Sequence, residues 1–288
     1  MSLSPELSPS SSPNENSKSA QETLRERLEH SSFGGSMEFV GGASRMQWDS
    51  FKVLFREPPS WASIMNEIYM LGVKSFLIVA VAAMAVGLVM SIQFGFGLAR
   101  FGAKLYVPKI VTLSIVRELG PIFTALMMAA RVGAGIAAEV GSMKVTQQID
   151  AIRALGTNPI QKIVLPKVLA CVLVAPLLTI LSNFIGVFGG MLISNSQLGV
   201  SAYDYFFKSF DIITGRDVVG GLFKSLVFGF LIGMTGCYYG MNTSGGTQGV
   251  GNSTTRAVVT GTVLVLLFDF ILTQFLWVIE NLARSGSL

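Results

Sequence analysis

The sequence predicts an all-α integral membrane protein with five transmembrane helices, and three observations carry that prediction. Hydrophobic residues make up 51% of the 288-residue chain and charged residues 13%, about half the charged share of a soluble domain. The apolar residues are gathered in five runs, each long enough to cross a bilayer, which takes about 20 residues. Between two of those runs lies a short amphipathic stretch, 143–156 (MKVTQQIDAIRALG). Spanning runs alone say only that a protein lives in a membrane, so a polar helix wedged between them needs a further reason.

The first element is a polar tail. Residues 1–20 (MSLSPELSPSSSPNENSKSA) are rich in Ser and Pro, and such composition cannot bury enough apolar surface to offset the entropy of ordering. The tail is expected to be disordered and to extend to residue 45. It lacks the apolar core of a signal peptide, and its acidic residues argue against a transit peptide. Residues 22–29 (ETLRERLE) could form a brief solvated helix. The second element, 46–72, mixes Trp48, Phe51, Leu54, Phe55 and Trp61 with Lys52, Arg56 and Glu57, broken by Pro58-Pro59. Aromatic rings favour the headgroup level, so this reads as an interfacial amphipathic helix. The alternative is a membrane-proximal linker.

The five-helix domain is expected over 73–284. Its spans are predicted at about 75–99, 119–140, 163–194, 218–241 and 257–282. The third is longer than one crossing requires, which tilt can absorb. Small residues recur four apart, as in Gly133/Ala137, Gly229/Gly233 and Gly236/Gly240, a spacing that lets helix backbones approach closely. Placing the N-terminus inside puts Lys144, Arg153 and Lys162 inside as well, but Arg100, Lys104 and Lys109 then fall outside, so charge counting gives only a slight preference.

Within 143–156, Thr146 is expected to cap a helix by accepting from an unpaired N–H. Gly156 and Pro159 should end it. Its turns line up Ile149, Ile152 and Leu155 on one side, with Gln148, Asp150 and Arg153 elsewhere. That is a surface a soluble partner could grip, with Ile149 and Ile152 packed in and Asp150 and Arg153 at the rim.

Charges inside spanning helices are costly and usually face protein or a watery cavity. Arg117 and Glu118 open the second run, Arg131 lies deep in it and Glu139 ends it; Lys224 lies in the fourth and Asp269 in the fifth. They read either as a polar cavity for a charged headgroup or as ion pairs that order the bundle, Arg131 with Glu139 being the candidate pair. The two cysteines, Cys171 and Cys237, fall in apolar runs and read as core residues. The single histidine, His30, rules out a histidine-based metal site or Ser–His–acid triad built within this chain. A net charge of +4 gives no hint of nucleic acid. The glycine-rich 240–251 (GMNTSGGTQGVG) lacks the Lys-Ser/Thr ending of a phosphate loop and reads as a flexible connection. Any ATP used in transport must therefore be bound by another polypeptide.

These residues also carry a resemblance. The run 116–170 (VRELGPIFTALMMAARVGAGIAAEVGSMKVTQQIDAIRALGTNPIQKIVLPKVLA) closely resembles the MlaE/YrbE permeases of MCE-associated ABC transporters. The likeness continues through 176–190 (PLLTILSNFIGVFGG), 222–229 (LFKSLVFG), 254–259 (TTRAVV) and 268–273 (FDFILT), and covers about 48–280. One departure is that Gln147 and Ile152 stand where members commonly carry Glu and Leu. The resemblance implies a homodimeric inner-membrane permease of phospholipid, moving lipid between the inner membrane and the outer envelope. It implies a cytoplasmic ABC ATPase dimer that binds ATP and Mg, no cofactor in this chain, a periplasmic MCE-domain protein, and in many systems a STAS-domain subunit. It also implies that Thr146, Gln147, Gln148, Ile149, Asp150, Ile152, Arg153 and Leu155 form the ATPase-coupling segment, and that Arg117, Glu118 and Lys224 lie near the lipid. Two other classes remain as alternatives: an ion-coupled secondary transporter, which commonly shows inverted repeats not evident here, and a structural membrane anchor, which needs neither the buried charges nor the amphipathic connector.

Overall fold

The computed structural model describes residues 32–56 and 59–285. The described residues form eight helical stretches and no strand: α1 (Ser32–Arg56), α2 (Trp61–Ala99), α3 (Lys104–Val145), α4 (Gln148–Ala154), α5 (Ile160–Gln197), α6 (Ala202–Ile212), α7 (Gly215–Met241) and α8 (Gly246–Ser285). Helices α2, α3, α5, α7 and α8 are each long and apolar enough to cross a bilayer. The all-α membrane architecture with five spans is thus observed.

Two boundaries differ from the sequence reading. Residues 32–45, placed in the polar tail, belong to α1. No proline occurs between Pro13 and Pro58, so nothing in the chain blocks a helix there; the expected disorder of 1–31 lies outside the described residues. The expected interfacial segment 46–72 is divided by the Pro58-Pro59 break. Trp61 begins a new helix, capped by Ser60, whose hydroxyl accepts from the Ser63 N–H. This helix buries Ile64 and packs on α5, so 61–72 is part of the helical bundle.

Helix α5 is the most buried span and α8 the least. Around α5 pack α2 and α7, and α7 in turn contacts α3 and α8. The glycine pattern explains how closely these helices cross. A methyl group at Gly87 would lie 1.9 Å from the Gly186 carbonyl oxygen, and one at Gly229 would lie 2.5 Å from that of Cys171. Only glycine permits both crossings. The glycine-rich connection is shorter than expected. Helix α8 begins at Gly246, and the turn before it takes positive φ at Gly245 and Gly246. A Thr243–Ser253 hydroxyl contact of 2.9 Å ties that turn to α8.

The long helices are not uniform. Helix α3 loosens into wide, π-helical turns at Ile115–Leu119 and Ala129–Gly133, and α5 starts with another at Ile160–Val164. Each such turn inserts a residue and re-aims the side chains beyond it, which is why they concentrate at functional positions. Arg117 and Glu118 sit in the first of these turns and Arg131 in the second.

Candidate functional site

The first α3 wide turn, the N-terminal half of α7 and the C-terminal part of α8 line a half-open cavity of about 740 Å³. Its walls are apolar, from Val219, Phe223, Phe275, Leu276, Trp277 and Ile279, and it also carries Arg117, Glu118, Arg216, Asp217, Lys224, Thr273 and Glu280. The volume falls within the range of small-molecule sites.

The charges there are organised in two groups. Arg117 donates through Nε to Asp217 at 2.5 Å, and its other end lies 3.9 Å from Glu280. Asp217 is itself buried, and its second oxygen accepts from the Thr214 N–H at 2.9 Å, closing a capping box at the start of α7. Lys224, 1% exposed, donates to Glu118, which is half-buried, and to Thr273 Oγ1 at 2.8 Å; Asp269 lies 3.4 Å away. A buried ammonium requires such partners, since an unpaired charge in a low-dielectric interior is strongly disfavoured. The structure therefore brings Arg117, Glu118 and Lys224 to one cavity, with Asp269 holding Lys224 from α8. Both cations are already matched by carboxylates.

Arg131 and Glu139 do not pair. Eight residues along a helix separate them by about 12 Å. Arg131 instead donates to Ser75 Oγ at 2.8 Å, and Ser75 donates to the Leu71 carbonyl. Glu139 turns to Lys167, which is 3% exposed and donates to both Glu139 and Glu67 at 2.8 Å. The three charges join α2, α3 and α5. Lys167, Glu67, Asp217, Glu280, Thr273 and Arg216 were not singled out from sequence. Lys167 gave the same signal as Lys224, a cation within an apolar run, but nothing local connects it with a glutamate 100 residues away.

At the other end of α7, about 40 Å away along its 27 residues, α4 sits beside the end of α3. Its stop is as expected: Gly156 takes φ 75°, its N–H donates to Arg153, and the Thr157 N–H donates to Ile152. Its start is not. Thr146 does not cap α4; its hydroxyl donates back to the Ser142 carbonyl at 2.8 Å, because α3 runs on to Val145 and keeps that carbonyl in reach. Gln147 takes the capping position with φ 59° and no side-chain bond. The expected apolar side also divides. Ile149 is wholly buried within the subunit, Ile152 is half-buried, and Leu155 is 82% exposed. Thr146, Gln147, Gln148, Asp150 and Arg153 are exposed. Asp150 lies 3.3 Å from both Lys144 and Arg153, surface pairs that contribute at most about 1 kcal/mol each. The apolar residue offered outward is Leu155, with Ile152 behind it.

The described residues thus form a bundle of spanning helices with a charged cavity at one end and a short amphipathic helix at the other. Residues 64–275 match the family described as Permease MlaE, and the chain belongs to that family. A probable ABC transporter permease protein of Rickettsia felis is 37% identical over 235 residues, spanning 82% of this chain and 91% of that protein. A second probable ABC transporter permease protein, from Synechocystis, is 40% identical over 213 residues, 74% of this chain and 81% of its own length. The chloroplastic protein Trigalactosyldiacylglycerol 1 of Arabidopsis thaliana is 34% identical over 215 residues, 75% of this chain and 61% of that protein. The chain is thus a multi-pass ABC transporter permease.

Proposed function

We propose that this permease moves phospholipid between the inner membrane and the outer envelope, driven by ATP that a separate cytoplasmic subunit hydrolyses. The observation that carries the reading is the cavity, whose apolar walls end in charged groups. A two-tailed lipid needs that combination, because its chains favour apolar contact and its phosphate favours donors. The name of the Arabidopsis relative contains a diacylglycerol lipid, which supports a glycerolipid cargo.

The functional unit is a homodimer in the inner membrane. An ABC ATPase dimer, binding ATP and Mg, docks at α4 and its flanks, with Leu155 and Ile152 as apolar contacts and Gln148, Asp150 and Arg153 around them. A periplasmic MCE-domain protein receives or delivers the lipid at the cavity end. Arg117, Glu118 and Lys224, held by Asp217 and Asp269, shape the cavity and keep its polar end from collapsing. The test is purification from its own membranes, with mass spectrometry of bound lipid and an assay for co-purified ATPase. Stoichiometric phospholipid together with an ATP-hydrolysing chain supports the reading. A preparation with neither contradicts it.

A further inference from the structure

We infer that Arg216 receives the lipid phosphate at the cavity, an assignment that rests on the phospholipid reading above. The argument is one of charge pairing. Arg117 is bonded to Asp217, and Lys224 is enclosed by Glu118, Thr273 and Asp269. Lys224 has almost no exposed surface to offer, and Arg117 is tethered through Nε to Asp217 with Glu280 3.9 Å from its Nη2. Among the described residues, Arg216 is the lining cation that no carboxylate holds, and it is exposed.

Arg216 lies in the first turn of α7 beside Asp217, whose carboxylate is already engaged by Arg117 and the Thr214 N–H. The Arg216 guanidinium offers paired N–H donors matched to a phosphate's oxygens. The apolar walls of the same cavity, Phe223 and Leu276 among them, are there for acyl chains.

The experiment uses the full-length purified protein and Arg216→Gln, with radiolabelled phosphatidylglycerol and a diacylglycerol of the same chains as probes. The expected result is a loss of phosphatidylglycerol affinity of about tenfold, the size of one charge-assisted contact, with diacylglycerol binding and melting temperature unchanged. Arg216→Lys should recover part of the loss. Equal phosphatidylglycerol binding by wild type and Arg216→Gln overturns the assignment, as does a parallel loss of both lipids. Binding of inorganic phosphate that depends on Arg216, with lipid binding unaffected, would show a free-anion site and reject the headgroup role. Wild-type protein that binds neither lipid refutes the phospholipid reading itself.

Discussion

Lys167 is where a single substitution should affect the bundle most. It is 3% exposed and holds Glu67 of α2 and Glu139 of α3 at 2.8 Å each. Lys167→Met keeps most of the side-chain volume but leaves two carboxylates without their cation. Their environments differ, since the Glu67 side chain is 19% exposed and that of Glu139 is 57% exposed. Glu139 can therefore return to water, and the cost falls on Glu67. Breaking a buried pair costs about 3–5 kcal/mol, and with one carboxylate free to rehydrate we take the lower end, about 3 kcal/mol. At about 2–4 °C per kcal/mol for chains of this general size, the apparent melting temperature in detergent should fall by roughly 6–12 °C. Adding Glu67→Gln and Glu139→Gln to Lys167→Met should restore most of that loss, because replacing a whole buried ion cluster by neutral groups is often close to neutral. The assay is thermal unfolding of the three proteins followed by size-exclusion chromatography. A Lys167→Met protein that melts with wild type, or a triple variant that melts lower still, would refute the reasoning.

The remaining predictions concern the coupling surface and the topology. Leu155→Asp should leave yield and melting temperature unchanged and weaken ATPase co-purification by about thirtyfold, as loss of a 2 kcal/mol contact does; undiminished co-purification removes Leu155 from that surface. Ile149→Ala, by contrast, should destabilise the subunit by about 2–5 kcal/mol through the cavity left behind, and a normal melting curve would contradict its burial. Single cysteines placed at 150 and 204 in a Cys171/Cys237-free chain should differ toward an impermeant thiol reagent applied to intact cells. Labelling is expected at 204 and not at 150, and the reverse pattern inverts the proposed orientation.

Much of this was legible in the chain because membranes impose a simple rule: backbone polar groups in lipid must be satisfied within helices. Runs of apolar residues therefore gave the five spans directly, and the Gly156 stop of α4 followed from local backbone chemistry. What escaped was non-local. Arg131 and Glu139 looked like partners because they share a helix, yet their bonds go to Ser75 and Lys167 on neighbouring helices. The wide turn at Ile115–Leu119, which carries Arg117 and Glu118 into the cavity, has no sequence mark beyond Gly120-Pro121 after it. Ile149 and Leu155 have the same apolar character in sequence; only packing decides that the first is enclosed and the second exposed.

The central claim is that lipid moves through this permease at the expense of ATP hydrolysed on another chain. Proteoliposomes holding the permease with its co-purified ATPase, loaded with a fluorescent phospholipid and supplied with a lipid-accepting MCE-domain protein, test that claim directly. Phospholipid transfer that requires hydrolysable ATP and both subunits is the predicted result. Transfer that proceeds without nucleotide and follows an imposed ion gradient would contradict it.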